Sequence, residues 1–326
     1  WKRSALLGEY LLSSCTGTIQ ALTDASLAIE QFAQQEYADN QWIQHQWAEV
    51  DKAGRGGNAY MEAIVRGSHE QRRAHFMDMY RHGALASLAT SLDRLAAVVA
   101  IIAGIKVTIL RVDWGELEKT AATAARNVTQ DSLRGRFADP GTPGRERQNR
   151  LLGLALTWPV LGPTDWLPWL LKSRNTATHR AARMSWNVML GTAARRQGFT
   201  ELFWRQPEWS DTEAMLRTDS EQGFQTLLLP QRPYDILNGL RESTANLVGA
   251  LAVEANTLWC DRRADPALIV QNGGIWPDLD TADPLNFPGY GEPVKVVAKE
   301  VRVNPETVRR MKASRILEVD RHRWVE

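Results

Sequence analysis

The sequence predicts an all-α protein, and three observations lead there. Apolar residues recur at helical spacing from Ala5 to Tyr37 with no proline to interrupt them. The run from Ala84 to Ile105 is apolar nearly all round, the pattern of a helix packed on several sides. A third stripe, "LVGALAVEANTLW", falls within a segment from about Asn238 to Arg263 that reads as one further helix. At 326 residues, 44% hydrophobic and 24% charged, the chain has the composition of a globular protein with room for one large domain or two ordinary ones.

In chain order, the first helical stretch, read as one long helix or two consecutive ones, ends in a loop at "DKAGRGGNAY", whose glycines break it. Asn58 is a candidate cap for a helix from about Tyr60 to His82, with Gly83 as its break. The apolar helix from Ala84 to Ile105 is then the expected centre of the fold, interrupted by Asp93 and Arg94. "KVTILRVDW" reads as a strand or a loop because of its β-branched content. Residues Asp131 to Arg150, "DSLRGRFADPGTPGRERQNR", read as a basic surface loop suited to following a nucleic-acid backbone.

A helix capped by Thr164 or Asp165, with Pro168 in its first turn, should run on to Gly198. Beyond Asp265 the prolines at 266, 277, 284, 288 and 293 predict an irregular segment. The last stretch has the rhythm of a helix-turn-helix, with Asn304 as cap, Pro305 at the first helical position and Arg309, Arg310 and Lys312 exposed. This organisation divides the chain into an N-terminal helical extension (1–59), a helical domain (60–264) and a linker with a small terminal segment (265–326).

Bulk properties narrow the function. Lys+Arg 39 against Asp+Glu 38 leaves no global field to draw in nucleic acid or an anionic membrane, so any such binding needs a local patch. Cys15 and Cys260 are too few for a disulfide framework and lack the spacing of a zinc site, which points to a reducing cytoplasm. The longest apolar run, Leu95 to Ile105, is about half the roughly 20 residues of a membrane span. The sequence lacks a P-loop, a dinucleotide-binding glycine pattern, H-E-x-x-H and G-x-S-x-G, and its six histidines are scattered. Neither a cofactor nor a metal is predicted.

The segment "LLKSRNTATHRAARM", Leu170 to Met184, departs from these bland patterns. On a helix Asn175, His179 and Arg183 line one ridge, and Arg174 with Thr178 the next. Arg174 and His179 stand about 7.5 Å apart along the axis and about 140° apart around it. Histidine transfers protons near neutral pH, and the arginine fork matches phosphate oxygens. Together they suit RNA cleavage by the internal 2′-hydroxyl, which needs proton transfer and phosphate stabilisation without a metal. Arg180 and Arg183 are candidates for holding RNA phosphates. Asp93, inside the apolar helix, either orients this motif or makes an ordinary Asp–Arg clamp between helices.

"SRNTATH" resembles the R-x(4–6)-H signature of the HEPN superfamily. The preceding "HFMDMYRHGALASLATSLDRLAAVVAIIAG" resembles the aromatic-rich and apolar central helices of the larger HEPN families, including an S-x-D-like polar interruption. The resemblance spans about Tyr60 to Arg196. It implies an antiparallel helical bundle, homodimeric, acting as a metal-independent endoribonuclease of a toxin–antitoxin or phage-defence system, with RNA as substrate and an antitoxin or other defence protein as partner. It further implies Arg174 and His179 as catalytic pair and Asn175 as orienting residue. Two other readings stay open: an inactive helical scaffold that keeps the motif, and a DNA-binding regulator acting through the terminal segment.

Overall fold

The computed structural model describes residues 2–126, 136–180, 186–192, 195–211, 215, 217, 227–265, 268, 285–292, 304–305 and 308. Helix predominates in it, and the all-α expectation holds apart from one small two-stranded sheet. Helix α1 (Lys2–Lys52) runs unbroken past Tyr37, because Ile43, Trp47 and Val50 continue the buried stripe begun by Ala21, Ala25, Ile29 and Phe32. A short α2 (Ala59–Ala63) follows the glycine loop, and α3 (Ser68–Ala103) returns antiparallel to α1. Arg94 of α3 donates to the Gly17 carbonyl at 2.7 Å, while at the other end Arg73 reaches the Ala38 carbonyl.

The expected break at Gly83 does not occur. Arg81, Ala84 and Leu85 on either side of it are buried, and that packing outweighs the roughly 1 kcal/mol that a glycine costs inside a helix. α3 stops instead at Gly104, which adopts φ 65° and returns its N–H to the carbonyls of Ala100 and Ile101. Its interior residues Leu88, Leu92, Ala96 and Val99 are the centre of the core. By length and composition α3 is apolar enough to cross a membrane, but two thirds of that apolar window lies inside the fold, as in the core helix of a globular protein.

"KVTILRVDW" forms no strand; Ile109–Arg111 is a single 3-10 turn, and Asp113 then caps α4 (Trp114–Ala125) by accepting from the Glu116 N–H. The predicted basic loop is half helix. Thr142 caps α5 (Pro143–Ala155), with Pro143 at the first helical position. α6 (Trp166–His179) comes next, and then a hairpin of β1 (Trp186–Thr192) and β2 (Arg195–Leu202), antiparallel with a register shift at Leu190/Gly191. α7 (Pro233–Ala264) packs against α1, α3 and α5. Residues 285–292 carry no regular element, in line with the irregular segment expected there. Of the helix-turn-helix expectation, only Asn304, Pro305 and Val308 are described, with the Val308 N–H bonded to the Asn304 carbonyl; Arg309, Arg310 and Lys312 lie outside the described residues.

Candidate functional site

Helix α6 starts after Asp165, whose φ of 59° turns the chain into it, and Pro168 falls in the first turn, where no intrahelical N–H bond is lost. Trp166, Leu167, Leu170 and Ser173 face the core. Arg174 follows Leu170 by four residues, so it continues the edge of that buried stripe and points towards α3. There its Nη2 donates to Asp93 Oδ2 at 3.2 Å, across 81 residues of sequence. The other carboxylate oxygen accepts the backbone N–H of Trp114 at 3.1 Å, so Asp93 ties α3 to both α6 and the start of α4. Each side chain of the ion pair keeps a little over a quarter of its surface exposed (27% and 29%), which leaves the guanidinium approachable. Arg174 Nε is buried without a hydrogen-bond partner.

His179 is the last residue of α6, exposed, and makes no hydrogen bond or ion pair among the described residues. Asn175 is exposed on the same ridge. The helix does not continue to Gly198: Arg180 is extended (φ −122°, ψ 167°), and the hairpin begins at Trp186. The alanines and arginines after His179 favour helix locally, but the hairpin buries Thr200 and sets Phe199 edge-on against Trp47 of α1, so tertiary packing overrides propensity. The motif therefore closes the helix rather than sitting near its start. Within one chain Arg174 meets Asp93, while His179 points elsewhere. Arg180 is exposed beside it, and Arg183 lies outside the described residues.

Thr176 of the motif reaches a different loop, its hydroxyl donating to the Pro207 carbonyl at 3.0 Å. That loop and the first half of α6 border a cleft of about 800 Å³, which sequence reasoning missed. Trp166, Trp169 and Lys172 form one side of it, Arg205 to Pro207 a second, and the first turns of α7 a third. The Trp169 ring packs edge-on against Phe203 at 5.3 Å, and its indole N–H donates to the Trp204 carbonyl. Lys172 bonds Glu208 (3.3 Å) and Asp211 (3.6 Å). Burial alone would lower its pKa, but these carboxylates hold it above the usual lysine value. Thirteen tryptophans in the sequence were the only hint of such a wall.

A second polar cluster holds the hairpin to the long helices. Buried Arg81 bonds Asp78 (2.6 Å) and Glu201 of β2 (2.8 Å) and lies 5.4 Å over the Phe203 ring. Thr200 donates to Glu36 at 2.7 Å, and Asp39 pairs with Arg66 at 2.7 Å. Burial pushes the Glu36 and Asp39 carboxyls above their ordinary pKa values, despite the Thr200 hydroxyl in one case and Arg66 and Arg73 in the other.

The described arginines of the supposed basic loop are occupied. Arg136 pairs with Glu116, Arg147 with Asp261 and Arg150 with Glu254, while Arg145 stacks on Phe137 at 4.3 Å. The Arg147 and Arg150 pairs join α5 to α7, and the four engaged arginines do not form an open cationic track. Among the described residues, no three His, Cys, Asp or Glu side chains gather as a metal would require, and Cys15 and Cys260 are free thiols. No known family model, curated protein or solved structure matches the chain.

Proposed function

We propose that the protein is a metal-independent endoribonuclease of the HEPN type, acting on RNA as a homodimer in a cytoplasmic toxin–antitoxin or phage-defence system. The observation that carries this reading is the Asp93–Arg174 pair. The polar interruption of the apolar helix and the arginine of the R-x(4)-H motif, 81 residues apart, meet at 3.2 Å with the histidine exposed at the helix end.

In the mechanism, His179 takes the proton of the attacking 2′-hydroxyl or gives one to the departing 5′-oxygen. The 2′-oxygen forms a bond to phosphorus as the bond to the 5′-oxygen breaks, leaving a 2′,3′-cyclic phosphate and a 5′-hydroxyl. Arg174, held by Asp93, stabilises the charge that builds on the phosphate oxygens. Asn175 orients the scissile group, and Arg180 and Arg183 hold flanking phosphates. Because Arg174 and His179 diverge by about 140° around α6, two-fold pairing of these helices completes the site by placing two Arg–His sets around one cleft.

The test is incubation of total RNA and tRNA with the purified protein in EDTA, alongside Arg174→Ala and His179→Ala. Wild type should leave cyclic phosphate ends, and each variant should slow cleavage by roughly 10²- to 10⁴-fold. RNA left intact by all three proteins overturns the reading. In that event the scaffold alternative gains, because a clamp between α3 and α6 is also what the Asp93–Arg174 pair provides without any chemistry.

A further inference from the structure

We infer that the cleft beside α6 receives one unpaired nucleobase of the RNA substrate, next to the cleavage site; this rests on the ribonuclease reading above. The first ground is the shared helix face. Pro168 and Lys172, which line the cleft, fall on the same face of α6 as Asn175 and His179, within about 60° of one another. Lys172 is about 10 Å along the axis from His179, and Pro168 about 16 Å. A strand passing over the imidazole along this face runs directly to the cleft mouth.

The second ground is the chemistry of the walls. Single-stranded RNA is read by stacking splayed bases on aromatic rings and bonding their edges, and a ring already held in place avoids the cost of ordering it on binding. Trp169 is such a ring: its indole N–H is committed to the Trp204 carbonyl and it stands perpendicular to the Phe203 ring, so its orientation exists before a ligand arrives. Around it Gln206, Gln231 and Asp235 present amide and carboxylate groups that match donor and acceptor edges. Lys172 and Arg205 balance Asp165 and Asp235, so the cleft carries no excess positive charge to prefer a phosphate over a base. Its volume, about 800 Å³, lies within the roughly 300–1,000 Å³ common for small-ligand sites, enough for one nucleoside and too little for a base pair with its backbone.

The third ground is the link back to the motif. The Thr176 hydroxyl holds the Pro207 carbonyl, so the loop that walls the cleft is bonded to the turn of α6 between Arg174 and His179. Seating a base against Gln206 and Trp169 therefore acts on the same turn that carries the candidate catalytic pair.

The experiment measures binding of fluorescein-labelled pentaribonucleotides, 2′-O-methylated so that no 2′-hydroxyl can attack, one for each base, by anisotropy. Wild type, Trp169→Ala and Gly239→Phe are compared. Gly239 lines the cleft and a Cβ there would meet no atom within 4 Å, so a phenylalanine at this position is chosen to occupy the cleft. The expected result is binding by wild type with a preference among the four bases. Trp169→Ala and Gly239→Phe should each weaken it by about ten- to a hundred-fold. Unchanged affinity in Gly239→Phe, or no binding by wild type, overturns the inference. Failure of the ribonuclease reading is seen separately: wild type then leaves cleavable RNA intact, while cleft-dependent base binding persists.

Discussion

The side-chain amide of Asn40 on α1 occupies the space that a Cβ on Gly198 would need, and its Oδ1 accepts the neighbouring Phe199 N–H at 2.8 Å. Gly198 also has φ 119°, a conformation that side chains rarely adopt. One residue earlier, the Gln197 carbonyl accepts from Gln44, so α1 grips the hairpin at its register shift. Gly198→Ala therefore combines a steric clash with backbone strain, and should destabilise the protein by roughly 2–4 kcal/mol. Urea denaturation checks the magnitude, and faster hydrogen exchange at the Phe199 amide shows that the hairpin has come off α1. An unchanged midpoint would mean that the close approach is not maintained in solution.

Asp93 holds two donors, and substitutions separate them. Asp93→Asn keeps an oxygen for the Trp114 N–H but loses the charge opposite Arg174; because that pair is more than a quarter exposed, about 1 kcal/mol is the expected cost. Asp93→Ala removes both contacts and should cost more. If Asp93 positions Arg174 for chemistry, Asp93→Asn should lower the cleavage rate with little effect on the affinity for uncleavable RNA. Full activity in Asp93→Asn would reduce the pair to a structural clamp.

Arg81 is buried among Asp78, Glu201 and the Phe203 ring, with its Nε unbonded. Truncation to alanine takes the shared partner from Glu201 and the more exposed Asp78 and opens a cavity, for an expected loss of about 2 kcal/mol. Arg81→Met refills the volume and should recover part of it only when combined with Glu201→Gln, which removes the unpaired charge. Thermal denaturation of the two single variants and the double variant forms the cycle that tests this coupling.

Glu36 gives a pH signature. Its folded pKa is raised above 4.5 by burial, so its stabilising contribution is full below 4.5 and is lost as pH rises through the elevated folded value. Glu36→Gln keeps an oxygen for the Thr200 hydroxyl and cannot ionise. The variant should match wild type in urea midpoint at pH 4 and exceed it at pH 7. A difference that shrinks as pH rises would show that the carboxylate is stabilised, not strained, by its surroundings.

How far the sequence reaches differs from element to element. The 3.6-residue stripes of α1, α3 and α7 and the start of α6 after Asp165 were legible because each is a local pattern. Gly198 stood out as an unusual position, but as a helix terminator, when its work is to admit Asn40. The arginines of α5 looked like a cationic loop because their partners Asp261 and Glu254 lie more than a hundred residues away. Nothing near Trp169 in the chain announces a cleft, since its walls come from three separate segments.

By itself, then, the sequence determined the long helical stretches, which helix is central, and that Arg174 and His179 share one helix. Only the tertiary structure decided that Arg174 turns inward to Asp93 while His179 stays in solvent, and that the residues after it leave the helix for a strand pair on α1. The reason is physical: periodicity records which side of a segment is buried, whereas the partner it is buried against depends on packing between segments far apart in the chain.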